Sequence, residues 1–407
     1  MGFDYASVLK DNLPAPAKAR WQGFPEYNFI GGHNDGDSVP VAALQAAAAK
    51  VIAREGKTLA TYGLQSGPQG YQPLRTFVAE TLQKHCDMKC SSDDVLITGG
   101  SLQALDLVNA ALVSPGDTVI VEEASYGGAI SRLRRLGAKV QKVALDDGGI
   151  VMADLAQVLS NLKADGVRAK YIYTIPTVQN PTGTIMSTER RLEMLAIAKE
   201  YGVPIFEDDC YADLVMTGPR PPAIYALDEE GLVVYCGSFS KSLAPALRVG
   251  YLVAEWPLLS QMISLKTDAG TGALEQMVLA EFAPSHFADH ISELTTILTE
   301  KRDAIVDALK AEFGTTAEFR VPDGGIFIWV DLPKEIDTSK LASAAFKEGL
   351  AINPGAEWSV DGDWGRNKFR LCFGHPSIDT IRSGVAKLAE ICHREFGLPA
   401  RGANVER

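Results

Sequence analysis

From about residue 94 onward the chain alternates two hydrophobic patterns. Uniformly apolar runs rich in β-branched and aromatic residues occur at V-L-I-T (95–98), T-V-I-V (118–121), Y-I-Y-T-I (171–175), P-I-F-E-D (204–208) and V-V-Y-C-G-S (233–238). Between them, from Leu102, Gly128 and Thr188, apolar residues recur at helical spacing. Strands without polar alternation are covered on both faces, so the pattern predicts an α/β fold built on a mainly parallel sheet between helices. Ligands in such sheets bind beyond the carboxyl ends of the strands.

The flanking stretches read differently. Residues 1 to about 40, with Pro16, Pro25, Pro40 and a G-G-H-N-D-G segment at 31–36, predict irregular chain. A helix follows over 41–55, then a Gly-rich loop until Pro73 opens another helix. A long helical pattern runs from Pro257 to Phe313, with interruptions expected near Gly270, Gly272 and Pro284, before strands return at F-R-V, I-F-I-W-V and F-R-L-C-F. The division expected is an N-terminal segment (1–45) joining a smaller α+β domain (291–407), with a large domain over 46–290.

Composition narrows the function. A chain of 407 residues, 46% hydrophobic, buries a large core. A net charge of -12 without a basic run argues against a nucleic-acid partner. No apolar run is long enough to span a bilayer and the start carries no signal-type segment, so the expected location is the cytoplasm. Of the six cysteines only Cys86 and Cys90 are close in sequence, without a second ligand pair nearby; no metal site is expected and all six read as reduced.

The candidate chemistry falls at the strand ends. S-F-S-K-S-L-A-P-A-L-R-V-G (238–250) puts Lys241 after a buried strand, where loss of water lowers an ammonium pKa and yields a nucleophilic amine. On this stretch alone an exposed turn lysine is an equal reading. Gly99, Gly100 and Ser101 open a helix whose free N–H groups form an anion cradle or simply a cap. Tyr126 stands beside two glycines, Asn180 in a proline-stiffened turn, and Asp208 three residues before Tyr211, a spacing that aims both at one group if the chain turns helically.

In this order the pieces resemble the fold-type I pyridoxal-phosphate enzymes, and within them the class I/II aminotransferases. The most specific motifs are N-P-T-G (180–183), E-D-D-C-Y (207–211) and S-F-S-K-S-L-A-P-A-L-R-V-G-Y (238–251). The likeness is greatest to the branch of 2-aminoadipate, kynurenine and aromatic aminotransferases. It implies a seven-stranded sheet in the large domain and pyridoxal 5'-phosphate as cofactor. It also implies that Lys241 forms the Schiff base and that Asp208 pairs with the pyridine nitrogen. Asn180 and Tyr211 would bond the ring oxygen, Tyr126 stack on the ring, and Gly100, Ser101, Leu102, Ser238 and Arg248 hold the phosphate. Tyr62 matches a tyrosine given to the partner's phosphate, which implies a homodimer. Arg370, in N-K-F-R-L-C-F, matches the residue that grips the substrate α-carboxylate, with Asn180 and Gly32 beside it. The expected reaction is ping-pong transfer of an amino group from an aromatic or 2-aminoadipate-like donor to a 2-oxo acid such as 2-oxoglutarate. The alternatives are a lyase, decarboxylase or oxidase on the same cofactor, and a ligand-sensing regulator domain. The G-G-H-N-D-G segment departs from the family pattern at the pocket entrance, which leaves side-chain specificity open; Trp21, Tyr27 and Trp358 are candidate linings.

Overall fold

The computed structural model describes residues 2–9, 13, 16–17, 20–21 and 23–399, so the irregular start is covered only in part. Seven strands form the central sheet: β1 (Val95–Thr98), β2 (Thr118–Glu122), β3 (Lys139–Val143), β4 (Ile172–Thr174), β5 (Ile205–Asp208), β6 (Val233–Ser238) and β7 (Gly250–Val253). Their spatial order is β1-β7-β6-β5-β4-β2-β3. β7 runs antiparallel to both its neighbours and every other pairing is parallel. β1, β2, β4, β5 and β6 are buried along nearly their whole length, which is why they read as continuous apolar runs.

Two of the seven strands were absent from the apolar runs. β3, K-V-Q-K-V, lies at the sheet edge with its first residue exposed, so its composition is that of a protected edge rather than a core strand. β7 follows directly on the lysine motif, where Gly250 packs against the backbone of Gly100 and Ser101. An added Cβ would meet that backbone at 2.8 Å, so only glycine lets β7 lie so close to the first βα turn.

The long helical pattern resolves into helices Trp256–Leu265 and Ala273–Phe313. The break falls where Ala269 and Gly270 take positive φ. Pro284, expected to interrupt, instead lies inside the second helix. A mid-helix proline costs about 3 kcal/mol. Phe282 and Phe287 on either side are buried, each contributing roughly 1.5–3 kcal/mol, so packing across the proline offsets it. This helix carries the chain to a four-stranded antiparallel sheet of Glu318–Phe319, Phe327–Asp331, Lys368–Cys372 and Asn353–Pro354, in that spatial order. Near the N-terminus Tyr27–Asn28 pairs in parallel with Leu350–Ala351, which sets Gly31 and Gly32 beside the carboxyl ends of the central strands.

Candidate active site

The chain turns that leave β1, β2, β4, β5 and β6 surround one cavity of about 310 Å³. Ser101, Leu102, Tyr126, Asn180, Asp208, Tyr211, Ser238, Lys241 and Arg248 all line it, joined from outside the central sheet by Gly32 and Arg370. Gly100 sits at its edge, packed against the Arg248 guanidinium. With φ of 87° and no room for a Cβ against that guanidinium, Gly100 has to be glycine. Tyr62 is the one predicted site residue held apart: it is 89% exposed and does not reach the cavity of its own chain.

Lys241 follows β6 in a single turn of helix, and its Nζ donates to the Gly32 carbonyl at 2.6 Å. Burial lowers its pKa, and the cationic Arg370 and Arg248 push the same way. Asp208 ends β5; burial raises its pKa, while hydrogen bonds from the Cys210 thiol and the Tyr173 hydroxyl oppose the rise. Tyr173 donates to Oδ2 of Asp208 at 2.6 Å and is itself fully buried.

Arg370 is buried yet makes no ion pair among the described residues. It donates to the Asn180 side-chain oxygen (2.9 Å), the Asn353 side-chain oxygen (2.9 Å) and the Gly31 carbonyl (2.6 Å), all neutral acceptors. Its Cζ lies 4.0 Å from the centre of the Trp358 ring, and its Nε has no partner. Arg248 likewise bonds only to neutral oxygens, the carbonyls of Gly99 and Pro245 and the Ser240 hydroxyl. Two guanidinium groups facing one cavity without a carboxylate partner make it a receptor for anions. The first turn of helix Ser101–Leu112, with unpaired N–H groups and the positive dipole end, adds to that field.

The family described as aminotransferase class I and II matches residues 27–388. The chain belongs to this family. The aminotransferase is 32% identical over 91% of its length to an aromatic-amino-acid aminotransferase of Thermococcus litoralis, covering 88% of that protein. The structure of a multiple substrate aminotransferase from Thermococcus profundus superposes with a TM-score of 0.90 at 31% identity, covering 97% of this chain and all of that one. An α-aminoadipate aminotransferase of Thermus thermophilus, solved with N-(5'-phosphopyridoxyl)-L-leucine, gives a TM-score of 0.84 at 32% identity, covering 91% and 92%. A transcriptional regulator of Bacillus subtilis, itself uncharacterized, is 34% identical over 80% of the chain, which spans 66% of that protein. Pyridoxal phosphate is accordingly the cofactor and transamination the reaction. The cavity fits that cofactor on its own terms. It holds a desolvated amine for the aldehyde, a buried carboxylate for a protonated ring nitrogen, and an arginine beside a helix N-terminus for the phosphate.

The structure adds residues that pattern alone did not single out. Glu122, at the end of β2, is fully buried and accepts from the Thr174 hydroxyl, the Ile175 N–H, the Gln179 amide and the Ser125 hydroxyl. Gln179 in turn accepts from the N–H and the hydroxyl of Thr182. This network fixes the turn that presents Asn180. Within the G-G-H-N-D-G segment Asn34 donates to the carbonyls of Lys241 and Leu243, and Asp35 pairs with Lys301 at 2.7 Å. Of the three aromatic candidates Trp358 lines the cavity, Trp21 is 79% exposed, and Tyr27 sits in the short strand before Gly31.

Proposed function

We propose that the enzyme transfers the α-amino group of an aromatic or 2-aminoadipate-like donor to 2-oxoglutarate in a ping-pong cycle, each chain's cavity completed by the other chain of a homodimer. The observation that carries this reading is the convergence of Lys241, Asp208 and Arg370 on one cavity. When bound, pyridoxal phosphate supplies the electron sink for the pair released as the donor's Cα–H bond breaks.

The chain's own residues do the rest. Arg370 offers its planar fork to the donor carboxylate, with Asn180 and the backbone of Gly32 alongside, fixing which Cα bond faces the ring. Lys241 would hold the cofactor through its amine and, when that amine is free, would serve as the base that moves the proton between the donor's Cα and the cofactor; burial lowers its pKa and keeps the amine available. Asp208 would accept the ring nitrogen's proton in a hydrogen bond and keep that nitrogen protonated. Tyr126 would pack on the ring face, Asn180 and Tyr211 would address the ring oxygen, and Ser101, Leu102, Gly100, Ser238 and Arg248 would hold the phosphate. Trp358, beneath the Arg370 guanidinium, suits a flat or extended donor side chain. Tyr62 reaches the partner's phosphate: it is exposed, and the next residues, Gly63, Leu64 and Gln65, all hold positive φ, a strain that a docking loop retains. Six free, buried thiols suit a reducing cytoplasm.

The test is a half-reaction. Cofactor-loaded enzyme is mixed with single donors (2-aminoadipate, kynurenine, aromatic amino acids, glutamate, alanine) and no oxo acid. One 2-oxo product and one aminated cofactor per chain are expected, fastest with an aromatic or 2-aminoadipate-like donor. Release of ammonia or carbon dioxide, or uptake of oxygen, contradicts transamination.

A further inference from the structure

Beneath the floor of the cavity two thiols and a carboxylate meet. In the parallel register of β5 and β6, Asp208 lies opposite Cys236, and Cys210 follows in the turn that leaves β5. The Asp208 carboxylate, Cys210 Sγ and Cys236 Sγ all lie within 4.8 Å of one another. Asp208 and Cys210 face the cavity, while Cys236 is fully buried behind them. We propose that this trio is a site for a soft divalent cation, zinc or cadmium, in the cofactor-free chain, and that the metal and pyridoxal phosphate exclude each other.

The ligand chemistry selects the metal. Paired thiolates with one carboxylate favour Zn²⁺ and its heavier congener over Mg²⁺ or Ca²⁺, which take oxygen sets. In a tetrahedral centre with a Zn–S bond of about 2.3 Å, ligand atoms sit about 3.8 Å apart, so the trio has to tighten by roughly 1 Å at most. Cys236 lies within β6 opposite Asp208, the last residue of β5, and Cys210 stands two residues beyond it in the turn, so sheet register places two of the three ligands. Water entering from the cavity completes the fourth position. Binding releases two thiol protons to solvent and leaves a centre of net charge -1, the metal's two charges against two thiolates and the Asp208 carboxylate. None of the other four cysteines joins such a cluster among the described residues.

Exclusion follows from the shared carboxylate and rests on the reading in which Asp208 faces the ring nitrogen. One Asp208 oxygen is already taken by Tyr173. A metal on the remaining oxygen occupies the lone pairs that the protonated ring nitrogen requires.

The experiment titrates the cofactor-stripped full chain with Cd²⁺, read by the ultraviolet thiolate-to-cadmium charge-transfer band, alongside Cys210→Ala, Cys236→Ala and the cofactor-loaded enzyme. The expected result is one thiolate-bound Cd²⁺ per stripped chain, binding at least tenfold weaker in either variant, and no band in loaded enzyme. Chains preloaded with Zn²⁺ take up pyridoxal phosphate at least tenfold more slowly, followed by visible absorption. The proposal is overturned if the stripped chain gives no band, if both variants keep it, or if loading with cofactor leaves it unchanged. Should either variant fold poorly, displacement of Cd²⁺ from the wild-type chain by added cofactor decides alone. A stripped chain that takes up no cofactor even without metal overturns the reading of the cavity, a separate outcome from a metal that fails to bind.

Discussion

Replacing Tyr173 by phenylalanine isolates one hydrogen bond at the buried carboxylate. The Tyr173 ring is stacked on Phe206, with centroids 5.6 Å apart and planes inclined by 18°, so it stays in place when the hydroxyl is removed. What is lost is the 2.6 Å bond to Oδ2 of Asp208. A hydrogen bond to a charged acceptor contributes about 1.5–3 kcal/mol. At about 1.36 kcal/mol per pKa unit, the Asp208 carboxyl should rise by roughly 1–2 units. It starts above its ordinary value because burial disfavours the anion, so it moves further in the same direction. A carboxylate with a raised pKa loses its charge at higher pH. The acid limb of the kcat/KM profile should therefore shift upward by about 1–2 pH units, while the plateau above it changes little. The assay is the pH profile of transamination for Tyr173→Phe beside the parent enzyme. An unmoved acid limb, or a uniform loss at every pH, would refute the role given to this bond.

Further predictions extend to the rest of the site. Asp208→Asn should retain cofactor but lower turnover by orders of magnitude, since a neutral amide cannot hold the ring nitrogen protonated; near-normal turnover contradicts it. Arg370→Lys forfeits the planar fork of a guanidinium that makes three hydrogen bonds, and at about 1.5–3 kcal/mol for a charged bond the donor kcat/KM should fall about 10- to 100-fold, measured in single-donor half-reactions. Because burial lowers the Lys241 pKa, its amine loses its proton earlier than an ordinary lysine. The rise of cofactor loading with pH should have its midpoint below 10.5, the ordinary lysine value, whereas a midpoint at or above that value means the amine is not desolvated. Tyr62→Phe and Lys241→Ala chains, each impaired alone, should regain activity when unfolded and refolded together, because the mixed dimer carries one cavity with both native residues. No gain over the separate proteins counts against the shared site.

How far the sequence foretells the structure depends on where each residue sits relative to the sheet. Strands buried on both faces announce themselves as apolar runs, and Lys241, Asp208, Asn180 and Tyr126 stand out because each is a polar or aromatic group just past such a run. β3 escaped because this edge strand is only partly buried and carries two lysines and a glutamine among its five residues. Tyr173 and Glu122 lie inside or at the last residue of core strands. There a tyrosine reads as packing and a glutamate as the start of a loop; only the neighbouring strand reveals the carboxylate each serves or the donors it gathers. The meeting of Cys236 with Asp208 and Cys210 is invisible for the same reason, since register across the sheet sets Asp208, two residues before Cys210, opposite Cys236. Pro284 misled through a sound local rule that packing over a 41-residue helix overrides.

Mapping of the cofactor's attachment point tests the assignment of Lys241. Cofactor-loaded enzyme is reduced with borohydride, digested, and its phosphopyridoxyl-labelled peptide sequenced. One label per chain is expected, on Lys241, with none in Lys241→Ala. A label on any other lysine, or undiminished labelling of the variant, would contradict it.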